Sequence, residues 1–260
     1  MASIPKFYST LPEMAPFIGE GLPVLMYHKV GELPPQVYKP LRGLYVSPRV
    51  FQKQVKEFVR AGYHSVDMNA ALSSQAHRRQ VAFTFDDGFE NVLHNALPAL
   101  SSAGFTSINY LVADLLGKTN VWDANFPETP QRLMDAAQVR EWIAAGQMIG
   151  AHTLSHPKLT QITEAQARRE IVDGRMKLED IFGVEVAHFC YPYGDHNERI
   201  VALVAEAGYR TACSLRHGIH HAGDSPLRIR RMLARHVSRS PRALFRSWKA
   251  RIVDRFLTHA

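Results

Sequence analysis

Short apolar runs that read as strands alternate with stretches of helical period along the chain, and this alternation restricts the fold most. A strand–helix–strand order favours parallel strands with helices packed outside them, as an open α/β sheet or a barrel. Pro23 to His28 is the first such run. Ser47-Pro48 then offers an N-cap and a first-turn proline ahead of Phe51, Val55, Phe58 and Val59 at helical spacing. Tyr63 to Asp67 reads as a strand. Gln80 to Asp86 alternates cleanly, with Val81, Phe83 and Phe85 on one face and Ala82, Thr84 and Asp86 on the other. Gly88 ends that strand, and a helix is expected from there through Leu100, closed by Gly104.

The pattern continues to Leu215. Phe105 to Val112, Met148 to Ala151, Val186 to Tyr191 and Tyr209 to Leu215 read as strands. Helices are expected over Ala136–Ala145, from a Thr163/Gln166 capping box to Phe182, and from an Asp195/Glu198 cap to Gly208. Residues 117–130 have no period and are expected to form a surface loop near the site. No repeat, low-complexity tract or linker divides the 260 residues, so one domain is expected over 22–236. Residues 1–21 are expected as an N-terminal extension, and 237–260 as a basic amphipathic helix packed on the same domain.

Composition excludes several classes. A hydrophobic fraction of 46% and a charged fraction of 21% place the chain among globular proteins rather than disordered ones. No run approaches the roughly 18 apolar residues of a membrane span. Met1 to Gly19 holds one lysine and is broken by Pro5, Pro12 and Pro16, unlike a secretory signal; either the protein stays in the cytoplasm, the simpler expectation, or a signal has been removed. Two cysteines, Cys190 and Cys213, lie in apolar strand-like runs and are expected as buried free thiols.

Two motifs carry chemistry. Thr84-Phe-Asp-Asp-Gly88 places adjacent carboxylates, Asp86 and Asp87, at a strand-to-turn junction. Their mutual repulsion is costly unless a cation or a shared proton offsets it; the plain alternative is a solvated Asp-Asp-Gly turn. His152-Thr-Leu-Ser-His156 supplies two imidazoles four residues apart, a spacing that chance also produces among 13 histidines. Both motifs follow strand-like runs and so open onto the same sheet edge, where α/β folds place ligands. Two His and a carboxylate, with positions left for water, form a hydrolytic metal site.

Thr-Phe-Asp-Asp-Gly, His-Thr-Leu-Ser-His and Tyr191-Pro-Tyr-Gly194, in that order, resemble the polysaccharide deacetylases of carbohydrate esterase family 4. Val24-Leu-Met-Tyr-His-Lys-Val30 resembles the first strand of many bacterial members. The resemblance covers residues 22 to 235. It implies a distorted (β/α) barrel of about seven strands, a divalent metal, usually zinc, and hydrolysis of N-acetyl groups from N-acetylhexosamine units of a bacterial glycan or its precursor. It also implies Asp87, His152 and His156 as metal ligands and Asp86 as general base, with the Tyr193 backbone N–H facing the oxyanion behind the rigid Pro192.

The pattern departs from the family at two places. Many members carry an arginine two residues before the motif proline, steadying the catalytic aspartate; Cys190 stands there and cannot supply that charge. Many also carry a general-acid histidine late in the barrel, where this chain has Leu227-Arg-Ile-Arg-Arg231. The proton donor to the leaving amine is therefore open. His28, at the end of the first strand, and His236 are the candidates, while His217, His220 and His221 read as a polar loop; the alternative is that no separate acid exists and Asp86 returns its proton.

The net charge of +7 is uneven: residues 207–260 hold twelve Lys/Arg against Asp224 and Asp254, or +10, and the rest holds 19 basic against 22 acidic residues, or −3. Leu244, Phe245, Trp248, Ile252 and Phe256 form an apolar stripe among the C-terminal cations. Packing on the barrel is the plainer expectation. The sharper one is docking on an anionic membrane surface, peripheral at the inner membrane, or on a lipid-linked glycan. No nucleic-acid partner is expected, because no binding motif accompanies the charge. Two other functions stay open: hydrolysis of a non-sugar amide or cyclic imide on the same fold, and a non-catalytic glycan-binding or assembly role.

Overall fold

The computed structural model describes residues 4–73, 77–124, 126 and 130–235. Ten strands run through them: β1 Val24–Tyr27, β2 Lys29–Val30, β3 Tyr45–Val46, β4 His64–Ser65, β5 Gln80–Phe85, β6 Ile108–Leu111, β7 Met148–Ala151, β8 His188–Cys190, β9 Thr211–His217 and β10 Ile229–Leu233. Seven helices accompany them: α1 Leu11–Ile18, α2 Pro48–Arg60, α3 Glu90–Asn95, α4 Leu97–Ala103, α5 Ala136–Ala144, α6 Glu164–Phe182 and α7 Glu198–Glu206. Strands β5 to β10 pair in parallel in chain order, and β1 closes the ring by pairing with both β10 and β5. The result is a closed parallel barrel of seven strands. β4 pairs with the first residues of β5, and β1 takes the rest of the same edge.

Strand alternation sorts the core into two clusters. Val81, Phe83 and Phe85 of β5 face outward onto Phe51, Val55 and Phe58 of α2, while Ala82 joins Val24, Ile108, Tyr110, Cys190, Cys213 and Ile229 inside. The inner residues are few because a seven-stranded ring leaves little room. Both cysteines are free and buried.

Local signals held where the chain could act alone. Ser47 caps α2 by accepting from Val50 N, and Thr163 with Gln166 forms a capping box on α6. Four expectations change. The helix expected through Leu100 breaks into α3 and α4 at Ala96, where Pro98 has no N–H to continue the ladder. The strand expected over Tyr63–Asp67 shortens to two residues because β1 takes the edge of β5 beyond Val81. Asn197 caps α7 in place of Asp195, whose carboxylate is engaged elsewhere. His220 is buried, with Nε2 3.1 Å from the Ala71 carbonyl, rather than lying on a polar loop.

Of the N-terminal segment, Leu11, Met14 and Ile18 of α1 join the outer core, and Tyr8 pairs with Ala234 beyond β10. No helix among the described residues is long and apolar enough to cross a membrane. His236 and the C-terminal amphipathic stripe lie outside the described residues.

His188 sits at the start of β8 with Nδ1 2.9 Å from Thr211 Oγ1. Burial, aided by Arg210, pushes its imidazole down to about 4. In the unfolded chain a histidine titrates near ~6.5, so the stability from neutral His188 is complete above that pH and is lost as pH falls toward 4. The loss amounts to at most about 3 kcal/mol. Urea midpoints should fall across this window, and fall less in His188→Gln.

Candidate active site

Every candidate among the described residues follows the carboxyl end of a barrel strand. His28 follows β1, Asp86 and Asp87 follow β5, His152 follows β7, and Tyr193 lies three residues past β8. Parallel pairing puts these ends at one mouth, so residues far apart in the chain converge.

Asp87 turns inward through a left-handed backbone at φ 76°, followed by Gly88 at φ 80°. Its Oδ1 lies 3.3 Å from His152 Nε2 and 3.4 Å from His156 Nε2. Ligand-type atoms of Asp87, His152 and His156 all lie within 4.8 Å of one another, and all three residues are buried. His152 Nδ1 is 2.7 Å from the Cys190 carbonyl, which can only accept, so Nδ1 carries a proton and Nε2 is the nitrogen that faces Asp87. This donor set suits a divalent ion of the zinc type. Burial alone would raise the Asp87 carboxyl, but His152 and His156 hold it well below the usual carboxylate range.

Asp86 lies deeper and is clamped. Arg231 of β10 binds it through both carboxylate oxygens, Nη1 to Oδ1 at 2.7 Å and Nη2 to Oδ2 at 2.8 Å. The same guanidinium donates to Thr84 Oγ1, the Ser214 carbonyl and Cys190 Sγ, at 3.1 Å each. Its five N–H groups thus all have acceptors. Burial pushes the Asp86 carboxyl up, and Arg231 and His28 bring it below its ordinary value. This corrects the expectation of a missing charge at Cys190. The steadying arginine comes from β10, and the small Cys190 side chain leaves room for it. One of the arginines read as replacing a histidine in Leu227–Arg231 supplies that charge.

His28 places Nε2 3.8 Å from Asp86 Oδ2, the oxygen that also accepts from Arg231 Nη2. Its Nδ1 is buried without a partner among the described residues. Burial lowers its pKa, against the pull of Asp86 and Asp87. His28 therefore joins the other five residues at the mouth.

Aromatic rings wall His156. Trp122, from the loop expected near the site, stacks on it at 4.1 Å between ring centres, and Tyr193 meets it edge-on at 4.6 Å. Sequence reasoning placed the loop but passed over Trp122, whose only signal was its position in it. Tyr193 adopts φ 58° in the turn after Pro192, and burial pushes its hydroxyl up to about 12. Asp195 accepts from Thr160 N at 2.7 Å and from Thr160 Oγ1 at 2.8 Å, tying this turn to the segment after His156.

With this geometry in place, comparison with known proteins is decisive for the family. The model of the polysaccharide deacetylase family matches residues 73–212, more than half of the chain. The chain belongs to the polysaccharide deacetylase family. YxkH of Bacillus subtilis, which bears a polysaccharide deacetylase name, is 22% identical over 202 residues, 76% of this chain and 65% of that protein. Chitin deacetylase 1 of Cryptococcus neoformans var. grubii is 30% identical over 98 residues, 38% of this chain and 21% of that one. The chain therefore spans less than two thirds of these curated relatives. Among solved structures, the Streptococcus pyogenes deacetylase PplD in complex with acetate has the same fold, with a TM-score of 0.72 at 22% identity over 86% of this chain and 96% of that one.

Removing one partner of a buried ion pair leaves the other charge uncompensated, at a cost of about 3–5 kcal/mol. Arg231→Met should lose that much in urea denaturation. Returning the arginine to β8, as Cys190→Arg with Arg231→Ser, should recover part of it.

Proposed function

We propose that the chain is a metal-dependent de-N-acetylase that hydrolyses N-acetyl groups from N-acetylhexosamine units of a bacterial polysaccharide or glycan precursor. One observation carries the reading. Asp87, His152 and His156 converge as a ligand set beside a second carboxylate, Asp86, that is kept ionised and fixed by Arg231. The family supports deacetylation of a glycan, and the chitin deacetylase relative by its name acts on an N-acetylated one.

In this mechanism Asp87, His152 and His156 would hold a divalent ion, which would supply an acidified water and polarisation of the acetamido carbonyl. Asp86 accepts the proton of the attacking water; its low pKa keeps it a base at neutral pH. Arg231 prevents its carboxylate from rotating away. The backbone N–H of Tyr193 faces the developing oxyanion, in the role the family resemblance assigns. The proton taken by Asp86 passes to the leaving amine through the neutral imidazole of His28, whose Nε2 lies 3.8 Å from Asp86 Oδ2. Trp122 and Tyr193 flank His156 and limit how far its ring can swing.

Acetate release from N-acetylglucosamine oligomers, measured with metal content on the same sample, tests the reading. Asp86→Asn should lower release by about 10²–10⁴-fold while metal is retained. His28→Ala should slow it without loss of metal. Dialysis against a chelator should abolish release, and zinc should restore it. Release that survives Asp86→Asn, or a chain that never holds metal, would overturn the proposal.

A further inference from the structure

The segment between the two metal-site histidines is held by groups outside the ligand set. Thr153 and His156 both have φ 69°, left-handed conformations that are costly for non-glycine residues and worst for a β-branched one. A loop with two such residues keeps its shape only if its surroundings over-determine it. Here they do. The Thr153 and Leu154 carbonyls accept from Ala113 N at 3.0 Å and Asp114 N at 2.9 Å. His156 N donates to Thr153 Oγ1 at 3.0 Å. The remaining donors converge on one side chain of α6. Glu170 Oε2 accepts from Leu154 N and Ser155 N, each at 2.9 Å, and Oε1 accepts from Ser155 Oγ at 2.7 Å.

The helix reaches the loop because of a residue one turn on. Gly174 lies against the loop backbone, and a Cβ there would stand 3.1 Å from the Thr153 carbonyl carbon and 3.3 Å from Leu154 N. Glu170 and Gly174, four apart and on one helix face, grip the loop by carboxylate and by backbone contact. We propose that Glu170 is a positioning residue for the metal: by gathering three donors of residues 154–155 it fixes the relative placement of His152 and His156 without touching either. This rests on the metal reading above.

The test is zinc binding to the metal-free protein, by competition with a chromophoric chelator, for the wild type and for Glu170→Ala, Glu170→Asp and Glu170→Gln. Groups that support metal ligands cost about 10–100-fold in affinity when removed. Glu170→Ala should weaken zinc by that factor. Glu170→Asp keeps the charge but is too short to span the donors and should weaken it similarly. Glu170→Gln keeps the reach and should stay within about threefold. Zinc affinities of the Ala and Asp variants equal to wild type, whatever their melting temperatures, would overturn the proposal. So would a Gln variant as weak as Ala, because charge rather than hydrogen-bond reach would then be responsible. A wild type that binds no zinc would overturn the metal reading and this proposal together; tight binding by both wild type and Glu170→Ala would overturn this one alone.

Discussion

The bidentate pair between Arg231 and Asp86 is the interaction on which the site depends. Two adjacent carboxylates are buried at the end of β5, and a buried ion costs several kcal/mol unless it is paired and hydrogen-bonded. Arg231 meets that demand with all five donors used. Its partners come from β5, β8 and β9, so the guanidinium links four strands across the barrel interior. The pairing of β10 with β1, and of β1 with β5, closes the barrel. Ring closure and the compensation of Asp86 are thereby one structural event.

With Asp86 neutralised by Arg231, Asp87 is left with two imidazoles and, among the described residues, no arginine partner. The two carboxylates, neighbours in the chain, thus meet different environments. One faces a fixed guanidinium that holds it ionised, and the other faces two imidazoles whose ring nitrogens are of the kind that binds a divalent cation. Such a separation of environments is how neighbouring titratable groups acquire different tasks.

The strain in the fold gathers where those tasks are carried out. Asp87, Thr153, His156 and Tyr193 are four of the five non-glycine residues with positive φ among those described. Each lies in a loop at the barrel mouth, held by bonds to neighbouring elements. Carboxylates serve twice in this way, Glu170 on the loop between the histidines and Asp195 on Thr160. The barrel supplies rigidity, and the loops use it to hold conformations they would not adopt alone.

Much of this was legible in the chain itself. The alternation at Gln80–Asp86, the N-cap at Ser47 and the capping box at Thr163 are short-range signals, and the structure keeps them. The ligand and base candidates were legible because each motif sits directly after a strand, and parallel strands bring their ends together. Asp195 was misread as a cap because its partner, Thr160, lies 35 residues away. Arg231 was missed because nothing local marks an arginine as facing 145 residues back to Asp86. The sequence by itself determined the donor types and the strand ends that carry them, since period and side-chain chemistry are local properties. Only the closed barrel decided which strand provides the compensating charge, because that depends on which inner faces meet once the ring is shut.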